Sequence, residues 1–373
     1  MRISVNSLAG RELASLDVGP AWTKSDVCAR LPPEALEGAG AAWVRLLHGC
    51  EELAGDATLD DMQVCDGSAL QLVFDPAGRR KILTASSDHT AKLWQVGSCE
   101  CLRTLHGHSD VVLTAVFSPD GAQVLTASHD YTARLWDAES GESLRTLEGH
   151  GDYVRSAVFS PDAARVLTAS EDSTAKMWST ETGECLRTLE GHKHPFSVKS
   201  AVFSPDLAQV LTASADRTAK IWSAESGECL RTLRGHSGRL TSAVFSPDGG
   251  KALTASSDKM ARLWNAGAGE ELLTLVGHSG SLSCAAFSPD GVWLLTASDD
   301  ATARLWSSDS GECVCILLGH VGSLWSAAFS PDGVHILTGS DDRTGKLWSA
   351  RSGKCLCTFS GHVGSVRSAV FEP

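Results

Sequence analysis

No apolar run in this chain approaches the ~20 residues that a membrane-spanning helix needs. The opening stretch, MRISVNSLAG, lacks the apolar core of a signal peptide. Positive charge is in deficit: 32 Lys and Arg stand against 45 Asp and Glu, a formal balance of -13. A chain of that sign repels phosphate backbones, so no direct nucleic-acid binding is expected without a local basic face. Asparagine is nearly missing. Asn6 and Asn265 stand alone, and neither lies in a glycosylation sequon. With no sequon and no secretory segment, the 12 cysteines read as reduced thiols of the cytoplasm or nucleus rather than as a disulfide framework. Also missing are a phosphate loop, a metal-ligand cluster and a nucleophile beside an unrepeated base, so neither a cofactor, a metal nor catalysis is expected. Composition is otherwise ordinary: 42% apolar and 21% charged over 373 residues, enough for a globular chain of more than one domain.

Repetition is abundant. Gly-His recurs with its histidine at His108, His150, His192, His236, His278, His320 and His362, spaced by 42 residues except for one interval of 44. One unit reads VVLTAVFSPDGAQVLTASHDYTARLWDAESGESLRTLEGH over 111–150. Four short β-branched and apolar runs are separated by SPDG, by an Asp-centred turn and by ESGE, which are strand and turn signals. The two extra residues of the long interval fall within 193–197, between strands, where a loop absorbs them. Four strands per ~40 residues with Gly-His and Trp signatures predict the blade of a propeller.

Seven stretches then run from an aspartate to a tryptophan: Asp88 to Trp94, Asp130 to Trp136, Asp172 to Trp178, Asp216 to Trp222, Asp258 to Trp264, Asp300 to Trp306 and Asp342 to Trp348. With them residues 80–373 resemble the WD-repeat β-propeller family, although only Trp136-Asp137 keeps the literal Trp-Asp pair. The antiparallel order puts the Gly-His loop and the Asp turn at one end of a blade, so His150 and Asp130 are expected to meet. The resemblance implies a buried relay from that histidine to the aspartate, a serine or threonine, and Trp136. Seven copies of a His, a hydroxyl and an Asp have no catalytic logic, whereas seven structural staples do. Met260 replaces the threonine of positions such as Thr132, so the fifth blade is expected to be weaker. Cys185 and Cys229 share one repeat position, and Cys99/Cys101, Cys313/Cys315 and Cys355/Cys357 are Cys-x-Cys pairs on the same strand. Spread over different blades they make no zinc site and read as small buried hydrophobes.

Residues 1–74 do not repeat. MRISVNSLAGRELASLDV reads as a hairpin. WTKSDVCARL reads as a helix capped by Thr23, and VRLLHGCEEL and SALQLVF read as strands. That is a β-grasp order, and the segment resembles ubiquitin over nearly its whole length. The overall expectation is a mainly β chain: a seven-bladed propeller (80–373) preceded by a linker (75–79) and a small α+β ubiquitin-like domain (1–74). Ubiquitin's recognition patch would map onto Leu8, Leu47 and Val73. DPAGRR follows Phe74 in place of a terminal Gly-Gly, and Lys24 is the segment's one lysine, so conjugation is not expected. The segment holds five Lys and Arg against eleven Asp and Glu. The last residues form one innermost strand without a blade, so 365–371 is expected to complete the first blade, with 69–74 as the alternative.

The function these readings imply is a non-catalytic scaffold. The propeller would hold a protein or peptide, and the ubiquitin-like domain would dock a second partner in ubiquitin–proteasome traffic. An alternative is the layout of notchless-like ribosome-assembly factors, where a glutamate on the small domain engages a remodelling ATPase; Glu51 or Glu52, on the HGCEEL turn, would be its equivalent. Differences between the repeats map the expected binding face. Positions at the start of each innermost strand and before each turn aspartate vary freely. They are Val111, Leu113, His129, Tyr153, Arg155, Glu171, Lys199, Arg239, Thr241, Asp299, Trp325, Asp341 and Arg367. Two aromatics and four cations among them favour an acidic protein or peptide ligand.

Overall fold

A computed structural model describes residues 81–95 and 100–371 in full and, within the first eighty residues, the backbone of five strands. The chain divides into two units, Met1–Arg80 with Gln95–Ser98, and Lys81–Trp94 with Cys99–Pro373.

In the first unit the described strands are β1 (Arg2–Ser7), β2 (Glu12–Asp17), β3 (Val44–His48), β4 (Glu51–Glu52) and β5 (Ala69–Phe74), in the sheet order β2-β1-β5-β3-β4. The hairpin expected from the first eighteen residues is β1 with β2. β1 and β5 run parallel at the centre while the other pairs are antiparallel. A parallel pair requires a long crossover between its strands. The helix expected over 22–31 and the patch residue Leu8 lie outside the described residues. Leu47 and Val73 stand on neighbouring strands, with Leu47 opposite Gln71 and Val73 opposite Arg45. Glu51 and Glu52 form β4 and pair with His48 and Leu47.

The second unit consists of seven four-stranded antiparallel sheets. In the second blade the strands are Val112–Phe117, Gln123–Ser128, Ala133–Asp137 and Ser143–Leu147, from the channel outwards. The LTAS strands are almost wholly buried because they are covered on both faces, by the blades before and after. Leu125, Ala127, Leu135 and Leu147 of the second blade, for example, pack with Val154, Ala157, Val166 and Trp178 of the third. Alanines at the contact let the sheets approach, and each tryptophan fills the space beside them.

The first blade is composite. Val366–Phe371 pairs antiparallel with Lys81–Ser86 in five register pairs, from Val366 opposite Ser86 to Phe371 opposite Ile82. Ala91–Gln95 and Cys101–Leu105 follow outwards. Ala69–Phe74 belongs to the other sheet, between β1 and β3. Each blade keeps two sheet edges, the innermost strand along the channel and the outermost strand at the rim.

Those outermost strands correct the reading of the cysteines. Cys101, Cys185, Cys229, Cys313 and Cys355 are exposed, because no blade covers an outermost strand. Cys357 is disulfide-bonded, against the expectation of reduced thiols throughout. Cys284 is different. It sits on an innermost strand, where burial pushes its thiol up to about 11, and its Sγ accepts from the Ala327 amide of the next blade at 3.1 Å.

Candidate functional site at the Gly-His end of the ring

Each blade is pinned by one relay. In the second blade the Trp136 indole N–H donates to Thr126 Oγ1 at 2.8 Å. Thr126 meets His108 Nε2 at 2.7 Å, and His108 Nδ1 meets Asp130 Oδ2 at 2.7 Å. An indole donor stands at one end of the relay and a carboxylate acceptor at the other. The imidazole thus bridges the threonine hydroxyl and the carboxylate through its two ring nitrogens. The same four groups meet in the first blade as Trp94, Thr84, His362 and Asp88, which ties the two chain ends together. They recur in the remaining five.

Two details differ from the sequence reading. His150 meets Asp172 of the following blade at 2.7 Å and not Asp130; the antiparallel order identifies the end of the ring but not which neighbour the loop enters. The relay hydroxyl is the Thr126 type, which the fifth blade keeps as Thr254. What Met260 removes is the second bond to the aspartate, made elsewhere by Thr132 Oγ1 to Asp130 Oδ1 at 2.6 Å; only the Met260 amide still reaches Asp258 Oδ1.

The glycine of Gly-His has a steric cause that repetition alone did not disclose. A Cβ at Gly107 would lie 3.0 Å from Cη2 of Trp136, and one at Gly361 3.2 Å from Cη2 of Trp94.

Burial alone would raise the relay aspartates, but the histidine and threonine hydrogen bonds outweigh it and hold Asp130, Asp172, Asp216 and Asp300 far below the ordinary carboxylate range. Burial pushes His236, His278, His320 and His362 below their ordinary value, against the pull of the carboxylates.

Above the relays lie the variable residues, in two clusters. Around the third blade, Arg155 Nε donates to Glu171 Oε1 at 2.6 Å, and Lys199 Nζ reaches the same oxygen at 3.3 Å. Tyr153 stacks on His129 with ring centroids 4.1 Å apart, and Arg155 lies 6.0 Å from the Tyr153 ring. Burial and the Arg155 charge push the Lys199 ammonium and the His129 imidazole down. Across the ring, the Trp325 indole donates to Asp341 Oδ1 at 2.6 Å. The Arg367 guanidinium lies 3.8 Å from the Trp325 ring centroid and 3.9 Å from Asp341. Partial desolvation and the Asp341 charge raise the carboxyl of exposed Asp299. Arg239 is exposed, Val111 and Leu113 are half-buried, and Thr241 donates to the Ala255 carbonyl at 3.1 Å. His129 Nε2 and Arg367 Nε are buried without a hydrogen-bond partner. Three of the four cations are therefore paired, which the sequence reading did not foresee.

Residues 197–373 match the family model described as the IFT122 first beta-propeller, and residues 99–137 and 141–179 each match the WD domain, G-beta repeat. No curated protein matches the chain. The repeats of this chain are WD repeats, closed into a seven-bladed β-propeller.

Proposed function

We propose that the protein is a non-catalytic scaffold whose propeller holds a protein or peptide ligand across the Gly-His end. The observation that carries this is the stacked Trp325–Arg367 pair on Asp341. A large aromatic and a guanidinium are held in place before any ligand arrives, as interface anchors are. The face is divided in charge. Arg155, Lys199 and Arg239 outnumber Glu171 over the third to fifth blades, while Asp299 and Asp341 lie on the sixth and seventh. An acidic ligand therefore belongs over the cationic half, with charge mainly setting the encounter rate. The first unit serves as a ubiquitin-like docking domain acting through Leu8, Leu47 and Val73. The β2-β1-β5-β3-β4 order with a parallel central pair supports that reading.

Affinity purification of the full chain, quantified by mass spectrometry beside Trp325→Ala, Arg155→Glu and Leu47→Ala, tests both arms. The two propeller variants lose the acidic partner by at least about tenfold, equivalent to ~1.4 kcal/mol, with melting temperatures close to wild type. Leu47→Ala loses a separate, ubiquitin-receptor partner. Equal recovery by Trp325→Ala and Arg155→Glu contradicts the propeller arm. Recovery of the same partners by Leu47→Ala contradicts the other.

A further inference from the structure

The opposite end of the ring has different chemistry. Each innermost strand runs from the Gly-His end to an SPD turn, so the strand ends and these turns share the far mouth of the channel. There Phe203, Phe245, Phe287, Phe329 and Phe371, with prolines of successive turns, line a cavity of about 660 Å³. Most of these rings are only half-buried. Phe203, Phe245, Phe287 and Phe329 also pack into the clusters between blades, which holds their rings in place around the opening.

Around the mouth stand six exposed aspartates, Asp120, Asp162, Asp206, Asp248, Asp290 and Asp332. Each accepts a hydrogen bond from the serine two residues before it; in the Ser118–Asp120 and Ser204–Asp206 turns the distance is 2.5 Å. Each also accepts from the backbone amide two residues on. The serine bonds hold the carboxyls of Asp120, Asp206, Asp248 and Asp290 below their ordinary value. The ring is thus fixed in place, and Asp120, Asp206, Asp248 and Asp290 are ionised. Three cations begin the second strands at this end, Lys81, Arg165 and Lys251. Arg165 is engaged with Asp162 and lies 5.4 Å from the Phe203 ring centroid. The outer turns at the same end add exposed carboxylates such as Glu139, Glu181 and Glu225.

We propose that this mouth is a second docking site, for a peptide segment with one bulky apolar side chain flanked by lysine or arginine. The apolar side chain enters the phenylalanine-lined cavity, whose volume is in the range of ligand pockets. The flanking cations meet the aspartate ring. Charge complementarity selects this occupant: an acidic segment is repelled, and residues 1–74 of the chain itself carry a net negative charge. The site is independent of the Gly-His face in position and opposite to its cationic half in sign.

The test is fluorescence anisotropy of the full chain with three labelled peptides, KKFKK, KKSKK and EEFEE. KKFKK binds at least about tenfold more tightly than either control, and added salt weakens it. The double variant D248N/D290N keeps the acceptor oxygens that the serines and amides use, and it loses several-fold in affinity for KKFKK with an unchanged melt. Phe287→Ala, checked by its melting curve, weakens the same peptide, while Trp325→Ala leaves it unaffected. Equal binding of KKSKK, unchanged binding by D248N/D290N, or no binding of KKFKK overturns the proposal. Loss of KKFKK binding in Trp325→Ala would place the peptide at the Gly-His end and would likewise overturn it.

Discussion

Thr126 Oγ1 accepts from the Trp136 indole N–H and meets His108 Nε2, so one hydroxyl joins the third strand of a blade to the loop that enters it. Removing one partner from such a buried chain costs ~1–3 kcal/mol. The same geometry sets a pH dependence. His236, His278, His320 and His362 have folded values below their ordinary 6.5, so below that pH the unfolded chain binds more protons than the folded one. Stability is therefore full above about pH 6.5 and falls as the pH drops further, with the relay aspartates adding the same sign below the ordinary carboxylate value of 3.8. Melting curves across a pH series should show the midpoint falling steadily on acidification; a midpoint that rises between neutral and mildly acid pH contradicts the lowered values of His236, His278, His320 and His362.

A backbone effect belongs to this scale too. The SPD turns need a left-handed residue, filled by Gly121, Gly249, Gly291 and Gly333 with φ of 70–72°, but by Ala163 at 57° and Leu207 at 63° in the third and fourth blades. A side chain there costs ~1–2 kcal/mol, partly offset by the greater freedom of glycine in the unfolded chain. Leu207→Gly should raise stability by roughly 0.5–1 kcal/mol in denaturant titration; a loss of stability would show that Leu207 makes contacts worth more than its strain.

Strands and turns were legible from the repeat because seven variants of the VLTAS strand and seven Asp-to-Trp stretches carry their own period and punctuation. Burial was legible only in part. Alternation tells which face of Cys185–Leu189 a residue occupies, but not that no blade covers that strand, and so the cysteines were misread. His150 was assigned to Asp130 for a related reason: strand order places two groups at one end of the ring, whereas the choice between neighbouring blades depends on where the loop leads. The closing strand rested on economy in the sequence and rests in the structure on five register pairs between Val366–Phe371 and Lys81–Ser86. At about 1 kcal/mol per backbone hydrogen bond, together with the burial of Val366 and Ala369, its loss approaches the whole stability of an ordinary domain. Deleting 363–373 should lower the melting temperature by more than about 10 °C. A truncated chain that melts like the full one would mean the ring does not depend on that strand.

At the scale of the whole propeller, a uniform framework carries variation at its Gly-His end and repetition at the other. Relay, glycine and tryptophan positions scarcely change from blade to blade. The residues above the relays differ and gather Tyr153, Trp325 and Arg367, while the SPD end repeats a phenylalanine and an aspartate from blade to blade. The proposed binding face could be picked out in sequence because positions that differ among otherwise alike repeats are free of the framework's constraints. The pairing of its cations with Glu171 and Asp341 was not visible, since it depends on side chains from separate blades converging on one carboxylate. The central claim is that the partner sits on the Gly-His end, and amine-reactive cross-linking of the captured complex tests it most directly. Exposed Lys193 and Lys259 lie at that end, while Lys176, Lys220 and Lys346 lie on third strands towards the rim. The account predicts that links from the acidic partner concentrate on Lys193 and Lys259 and disappear with Trp325→Ala; links confined to Lys176, Lys220 and Lys346, unaffected by that substitution, would contradict it.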